Sequence, residues 1–186
     1  MSWTPLHVAC ELGSLKVAKI LVSAGAEIEA TTNDGSNIPL NVAAEYGHED
    51  IVHLLLETSA SLHAIGCLGN TASPLAAYYG HHSVVKTLLI SGADVKARAN
   101  DGHTALHRAT RQDHVSVIRI LLDAGAKTEE GDSEGWTPLH LAAYSGQKAA
   151  CEMLVKAKAD IEARIVMARL RYTLLLEKGT SQALKD

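Results

Sequence analysis

The chain has 186 residues, 47% of them hydrophobic and 20% charged, with a formal net charge of −4. That balance is too apolar for a disordered chain and supplies no overall basic field to draw in nucleic acid or anionic lipid. The three cysteines are far apart with no CxxC pair, which argues against a disulfide framework and against a zinc site.

Met1-Ser2-Trp3-Thr4-Pro5 has neither the basic start nor the apolar core of a secretory leader, so an intracellular, cytoplasmic location is the expectation. In chain order, Thr4-Pro5-Leu6-His7 returns as Ile38-Pro39-Leu40-Asn41, as a degenerate copy from Thr71, as Thr104-Ala105-Leu106-His107 and as Thr137-Pro138-Leu139-His140. The steps are 34, 33, 33 and 33 residues, the extra residue falling near Ser36 and Asn37. A second marker keeps the same step: Gly25-Ala26, Ser59-Ala60, Gly92-Ala93, Gly125-Ala126 and Lys158-Ala159. Such a fixed period is the mark of a repeat architecture.

Two short helices fit between the markers. The first carries adjacent small residues, Ala9-Cys10, Ala43-Ala44, Ala76-Ala77, Ala109-Thr110 and Ala142-Ala143, which let neighbouring helices approach closely. The second pairs Val17/Leu21, Ile51/Leu55, Val84/Leu88, Val117/Leu121 and Ala150/Leu154 four apart on one face. Pro5, Pro39 and Pro138 suit a first helical turn, where the missing N–H is not needed. Gly13, Gly47, Gly80 and Gly146 stand where the first helix must stop in a left-handed conformation. Asn33-Asp34-Gly35 and Asn100-Asp101-Gly102 read as tight hairpins between repeats.

These motifs resemble the ankyrin repeat, with its period of 33 and T-P-L-H-x-A signature. The resemblance covers about residues 2–164 in five copies, starting near 2, 36, 69, 102 and 135. It implies an all-α solenoid of helix–turn–helix units joined by short β-hairpin fingers. The phase breaks after Arg164, and residues 165–186 read as a capping helix or a truncated half repeat. Their apolar Ile165–Leu176 stretch is too short to span a bilayer and contains Arg169 and Arg171. Asp113 replaces the glycine that ends the fourth first helix, and Ser59 and Lys158 replace the later one, which predicts local soft spots.

The ten histidines invite a catalytic or metal reading, and the period absorbs most of them. His7, His107 and His140 fill the signature position, and His48, His81 and His114 follow the first-helix terminator. By resemblance these are structural. His48 and His53 are five apart, about 140° off a shared helical face, so they do not reproduce the four-residue spacing of zinc-peptidase helices. Cys10 and Cys151 fall at core positions, whereas Cys67 lies in a finger. Glu129-Glu130 and Asp132 read as a solvated turn. No P-loop, dinucleotide glycine fingerprint or nucleophile elbow is present, so no enzyme activity, cofactor or metal is expected.

By resemblance, partners dock on the concave side, on the fingers and the exposed edge of each first helix. The chain has two tryptophans, five tyrosines and no phenylalanine, and Trp3, Tyr46, Tyr78, Tyr79, Trp136 and Tyr144 all fall on that surface. Tyrosine, tryptophan and arginine dominate interface hot spots because they join large apolar area to a polar handle. The predicted contact set is Tyr46, Tyr78, Tyr79, Arg111, Trp136, Tyr144, Asn100, Asp101, His103, Glu11 and Glu45. The expected function is a monomeric scaffold or adaptor that binds a protein or peptide, with no nucleic-acid or membrane contact. The alternative is a non-binding spacer, or a fragment of a larger multidomain repeat protein.

Overall fold

The computed structural model describes residues 3–32 and 37–165. Within them ten α-helices run as five antiparallel pairs. The inner members are α1 (Pro5–Glu11), α3 (Pro39–Tyr46), α5 (Ala72–Tyr79), α7 (Ala105–Arg111) and α9 (Pro138–Tyr144). The outer members are α2 (Leu15–Ser23), α4 (Glu49–Glu57), α6 (His82–Ile90), α8 (Val115–Asp123) and α10 (Lys148–Lys156). Each inner helix packs on its own outer partner and on the inner helices to either side, and the outer row stacks likewise. The architecture is an ankyrin-repeat solenoid. Residues 166–186, read from the sequence as a cap, lie outside the described residues, as does most of the 33–36 hairpin.

The small-residue column sets the spacing of the inner row. Ala43, Ala44, Ala76, Ala77 and Ala109 are fully buried, and nothing larger than an alanine methyl separates the backbones there. Leu55, Leu88, Leu121 and Leu154 fill the gap between the rows with no exposed surface. Truncating one such leucine typically costs about 2–5 kcal/mol. Two expectations need correction at the ends of the stack. Val17 is 48% exposed because no described repeat precedes α2, whereas its counterparts Ile51, Val84 and Val117 are buried. Cys151 is only half-buried for the matching reason at α10.

The fingers also differ from the expected hairpins of paired strands. Among the described residues they are turns, each closed by one backbone bond: Gly66 N–H to Asn70 O, Ala99 N–H to His103 O and Asp132 N–H to Trp136 O. Adjacent fingers are joined by single bonds, Asn100 N–H to Leu68 O and Ser133 N–H to Asp101 O. One rung per arm is too little to build a ladder, so side chains must fix the fingers.

The helix stops show how one repeat is keyed to the next. Gly47 and Gly80 end α3 and α5 at φ +80°. A Cβ on Gly47 would meet the His81 ring at 2.4 Å, and one on Gly80 would meet the His114 ring at 2.7 Å. Those rings lie across the glycines so that His81 Nε2–H donates to Glu45 O at 2.9 Å and His114 Nε2–H to Tyr78 O at 3.0 Å. Where the glycine becomes Asp113, the following histidine becomes Gln147, whose slimmer amide reaches Arg111 O at 3.0 Å. Asp113 keeps the left-handed turn at φ 59°, and its Oδ1 accepts the Ala150 N–H at 2.7 Å in the first turn of α10. That bond offsets the backbone strain, and the predicted soft spot is instead a cap.

Candidate functional site

Inner helices carry the site, so their starts matter first. Thr4, Thr104 and Thr137 each place Oγ1 2.8 Å from Nδ1 of the histidine three residues on, His7, His107 and His140. Nδ1 also accepts the threonine N–H, so the ring proton sits on Nε2. From there it reaches the next repeat: His7 donates to Asn37 O at 3.2 Å and His107 to Trp136 O at 3.0 Å. Burial pushes the His107 ring down to about 4, with the bond to Trp136 opposing it. His107 is therefore a neutral strut at physiological pH, holding the residue that opens the fifth repeat's contact edge.

The eleven predicted contact residues divide into two groups. Towards the N-terminus, Tyr46 O–H donates to Glu11 Oε1 at 3.2 Å and Tyr79 O–H to Glu45 Oε1 at 3.1 Å. Each tyrosine thus leans back onto the preceding repeat. Partial burial and the neighbouring glutamates raise both phenols above the ordinary tyrosine range, so they stay protonated and serve as donors. Tyr78 packs edge-on against Tyr79 with ring centroids 5.0 Å apart. This edge is a polar ladder, and its residues satisfy one another.

Towards the C-terminus, Asn100, Asp101, His103, Arg111, Trp136 and Tyr144 line one open depression of about 560 Å³, together with Asp132, Ser133, Glu134 and Leu141. Trp136 and Tyr144 meet edge to face, centroids 5.3 Å apart, and Tyr144 is 78% exposed. His103 is not the exposed contact that its finger position suggested. It is 7% exposed and forms the floor. Its Nε2–H donates to Asp132 Oδ2 at 3.0 Å. Asp101 Oδ2 lies 3.3 Å from Nδ1, within ion-pair distance but off the direction of a hydrogen bond, so Nδ1 has no hydrogen-bond partner.

Several residues that build this floor escaped the sequence reading. Asp132 is no solvated turn acid: its side chain is nine-tenths buried. Oδ1 accepts the Glu134 N–H at 2.8 Å and the Trp136 N–H at 2.9 Å, which shapes the fifth finger from within. Burial alone would raise this carboxyl; the two backbone donors and the His103 ring overcome that and hold it below the ordinary carboxylate range. Arg108 pairs with Asp101 at 2.9 Å and reaches Asn70 at 3.4 Å, linking the third and fourth fingers. Its column is otherwise apolar (Val8, Val42, Leu75, Leu141), and that break in pattern was the available signal. Arg98 donates to Gly131 O at 2.9 Å.

Cys67 is exposed, Cys10 is buried, and burial pushes the Cys10 thiol up to about 12, far from a thiolate nucleophile. Among the described residues no three His, Cys, Asp or Glu side chains are grouped to hold a metal ion. Among them, too, no helix is long and apolar enough to cross a membrane.

Three stacked matches to the ankyrin-repeat model cover residues 1–65, 29–99 and 73–165. The chain belongs to the ankyrin-repeat family. It is 35% identical to human protein fem-1 homolog C across 40% of this chain and 14% of that protein. It is 41% identical to human ankyrin repeat and KH domain-containing protein 1 across 37% of this chain and 3% of that protein. With mouse protein phosphatase 1 regulatory subunit 12A it shares 33% identity across 37% of this chain and 7% of that subunit. The ankyrin chain thus spans a small fraction of each of these relatives. Its repeats, and the regulatory character in one relative's name, point to interaction with other proteins as its general role.

Proposed function

We propose that this ankyrin-repeat chain is a monomeric, intracellular adaptor that catalyses no reaction and binds a protein or peptide on the concave face, along its fingers and inner-helix edge. The supporting observation is the convergence of six predicted contact residues on one depression bordered by the Trp136–Tyr144 pair. Large aromatic rings held at one edge and open at the other gain most from a partner that covers them. The supporting framework is rigid where it must be, because Asp132 and His107 both fix the backbone of Trp136. The Tyr46–Glu11 and Tyr79–Glu45 ladder extends the contact line towards the N-terminus.

The test is capture of partners by the immobilised chain, compared with Tyr79→Ala/Trp136→Ala and with an outer-helix control, Ile20→Ala/Ile90→Ala. Circular dichroism first establishes that helicity is unchanged. A partner retained by the control and lost by the aromatic variant is the expected result. Equal capture by both variants would move the binding surface elsewhere.

A further inference from the structure

The charged side chains of the proposed contact face are unevenly divided. At its finger and inner-edge positions among the described residues, Glu11, Glu45, Asp101 and Glu134 are acidic, and Arg111 is basic. Lysines instead populate the outer helices: Lys16 and Lys19 on α2, Lys86 on α6, Lys148 and Lys156 on α10. The chain's net charge of −4 is thus expressed most on the side where partners are proposed to dock. A surface of this sign attracts basic segments and repels acidic ones.

The depression adds a specific anchor. Its wall holds the Trp136 and Tyr144 rings, whose π-faces favour a cation. Carboxylates of Asp101 and Glu134 stand at its rim, and the buried Asp132 carboxylate lies beneath. The His103 ring is nine-tenths buried in the floor, with Nδ1 unpartnered and Asp101 Oδ2 beside it. Two acceptor-bearing groups side by side, one of them without a donor, favour a positive charge placed over them. Long aliphatic stems of lysine or arginine match the apolar wall while the head group meets the carboxylates.

We infer that the depression between the fourth and fifth fingers receives a lysine or arginine side chain from a basic, extended segment of a protein partner. The inference rests on the contact-face reading above and specifies the chemistry of the occupant. Glu134 and Asp101 supply charge, and Trp136 and Tyr144 supply the aromatic wall. Arg111 on the far rim excludes a second cation and fixes the direction in which the segment lies.

The probes are three synthetic peptide mixtures, Ala-X-X-Z-X-X-Ala, with X randomised and Z fixed as lysine, glutamate or norleucine. The readout is the indole N–H resonance of Trp136 in the intact chain, assigned with Trp3→Phe. The lysine mixture is expected to shift that resonance most. Its apparent affinity should fall when salt rises from about 0.1 M to about 1 M, because the Debye length shrinks from ~10 to ~3 Å. Glu134→Gln should weaken it roughly two- to fivefold, as for an exposed charge pair. A larger shift from the norleucine or glutamate mixture overturns the cation and leaves the contact face standing. If the lysine mixture moves only resonances away from the fingers and inner edge, both readings fall.

Discussion

The second and third repeats and the fourth and fifth pack the same core with different polar residues. In the earlier pair, Ile38 and Thr71 stand at the N-caps of α3 and α5 without a side-chain bond, and Asn41 and Pro74 take the place of the signature histidine. In the later pair, Thr104–His107 and Thr137–His140 complete that box, and Arg98, Arg108, His103 and Asp132 tie finger to finger. The contact edge follows the same division. Tyr46 and Tyr79 are engaged by Glu11 and Glu45, whereas Trp136 and Tyr144 border an open depression. Helix packing holds the repeats of both regions in place, and the denser polar framework of the second leaves its aromatic side chains available for a partner.

If the two regions differ in polar residues and not in core, equal leucine truncations must cost the same in each. Leu55→Ala and Leu121→Ala both remove a side chain with no exposed surface. Each is expected to lose about 2–5 kcal/mol in urea unfolding. A gap between them larger than about 1 kcal/mol would break the comparison.

The next effect belongs to the later region alone. An unfolded histidine titrates near 6.5, whereas folded His107 is pushed down to about 4 by burial. Between those values the unfolded chain holds the extra proton, so stability rises with pH. The contribution is complete above about pH 6.5 and is lost as pH falls towards 4, by roughly 3 kcal/mol. Subtracting the stability–pH curve of His107→Gln from that of the parent should isolate this slope. Parallel curves would refute the neutral-strut assignment.

The smallest contrast is at the N-caps. Thr104→Ala removes the Oγ1–Nδ1 bond and is expected to cost about 1 kcal/mol. Thr71→Ala removes no side-chain bond and should cost a few tenths at most. Chemical denaturation of the two variants side by side separates the alternatives, and equal losses would mean that the caps do not distinguish the regions.

Much of the fold was legible because a repeat writes each structural rule several times. The 33-residue step, the alanine column and the helix-one glycines locate the helices without any long-range information. The polar ties were harder to read, since His103–Asp132 and Arg108–Asn70 join residues 29 and 38 positions apart. Nothing local marks Asp132 as buried; its role appears only when the fourth finger is laid against the fifth. The Gly80–His114 and Asp113–Gln147 exchange was within reach of the sequence, because both members change together in successive repeats. His103 was misread as a surface contact because its finger position, occupied by Trp136 one repeat later, does not reveal which side chain turns inward.

The central claim is that partners meet the finger and inner-helix edge with the later depression as anchor. Site-specific photocrosslinking tests it most directly, with benzoylphenylalanine placed in turn at Tyr144, at Tyr46 and at the outward-facing Ile90, and with a captured partner present. The account predicts a strong crosslink from position 144, a weaker one from 46 and none from 90. A crosslink from position 90 alone would contradict it.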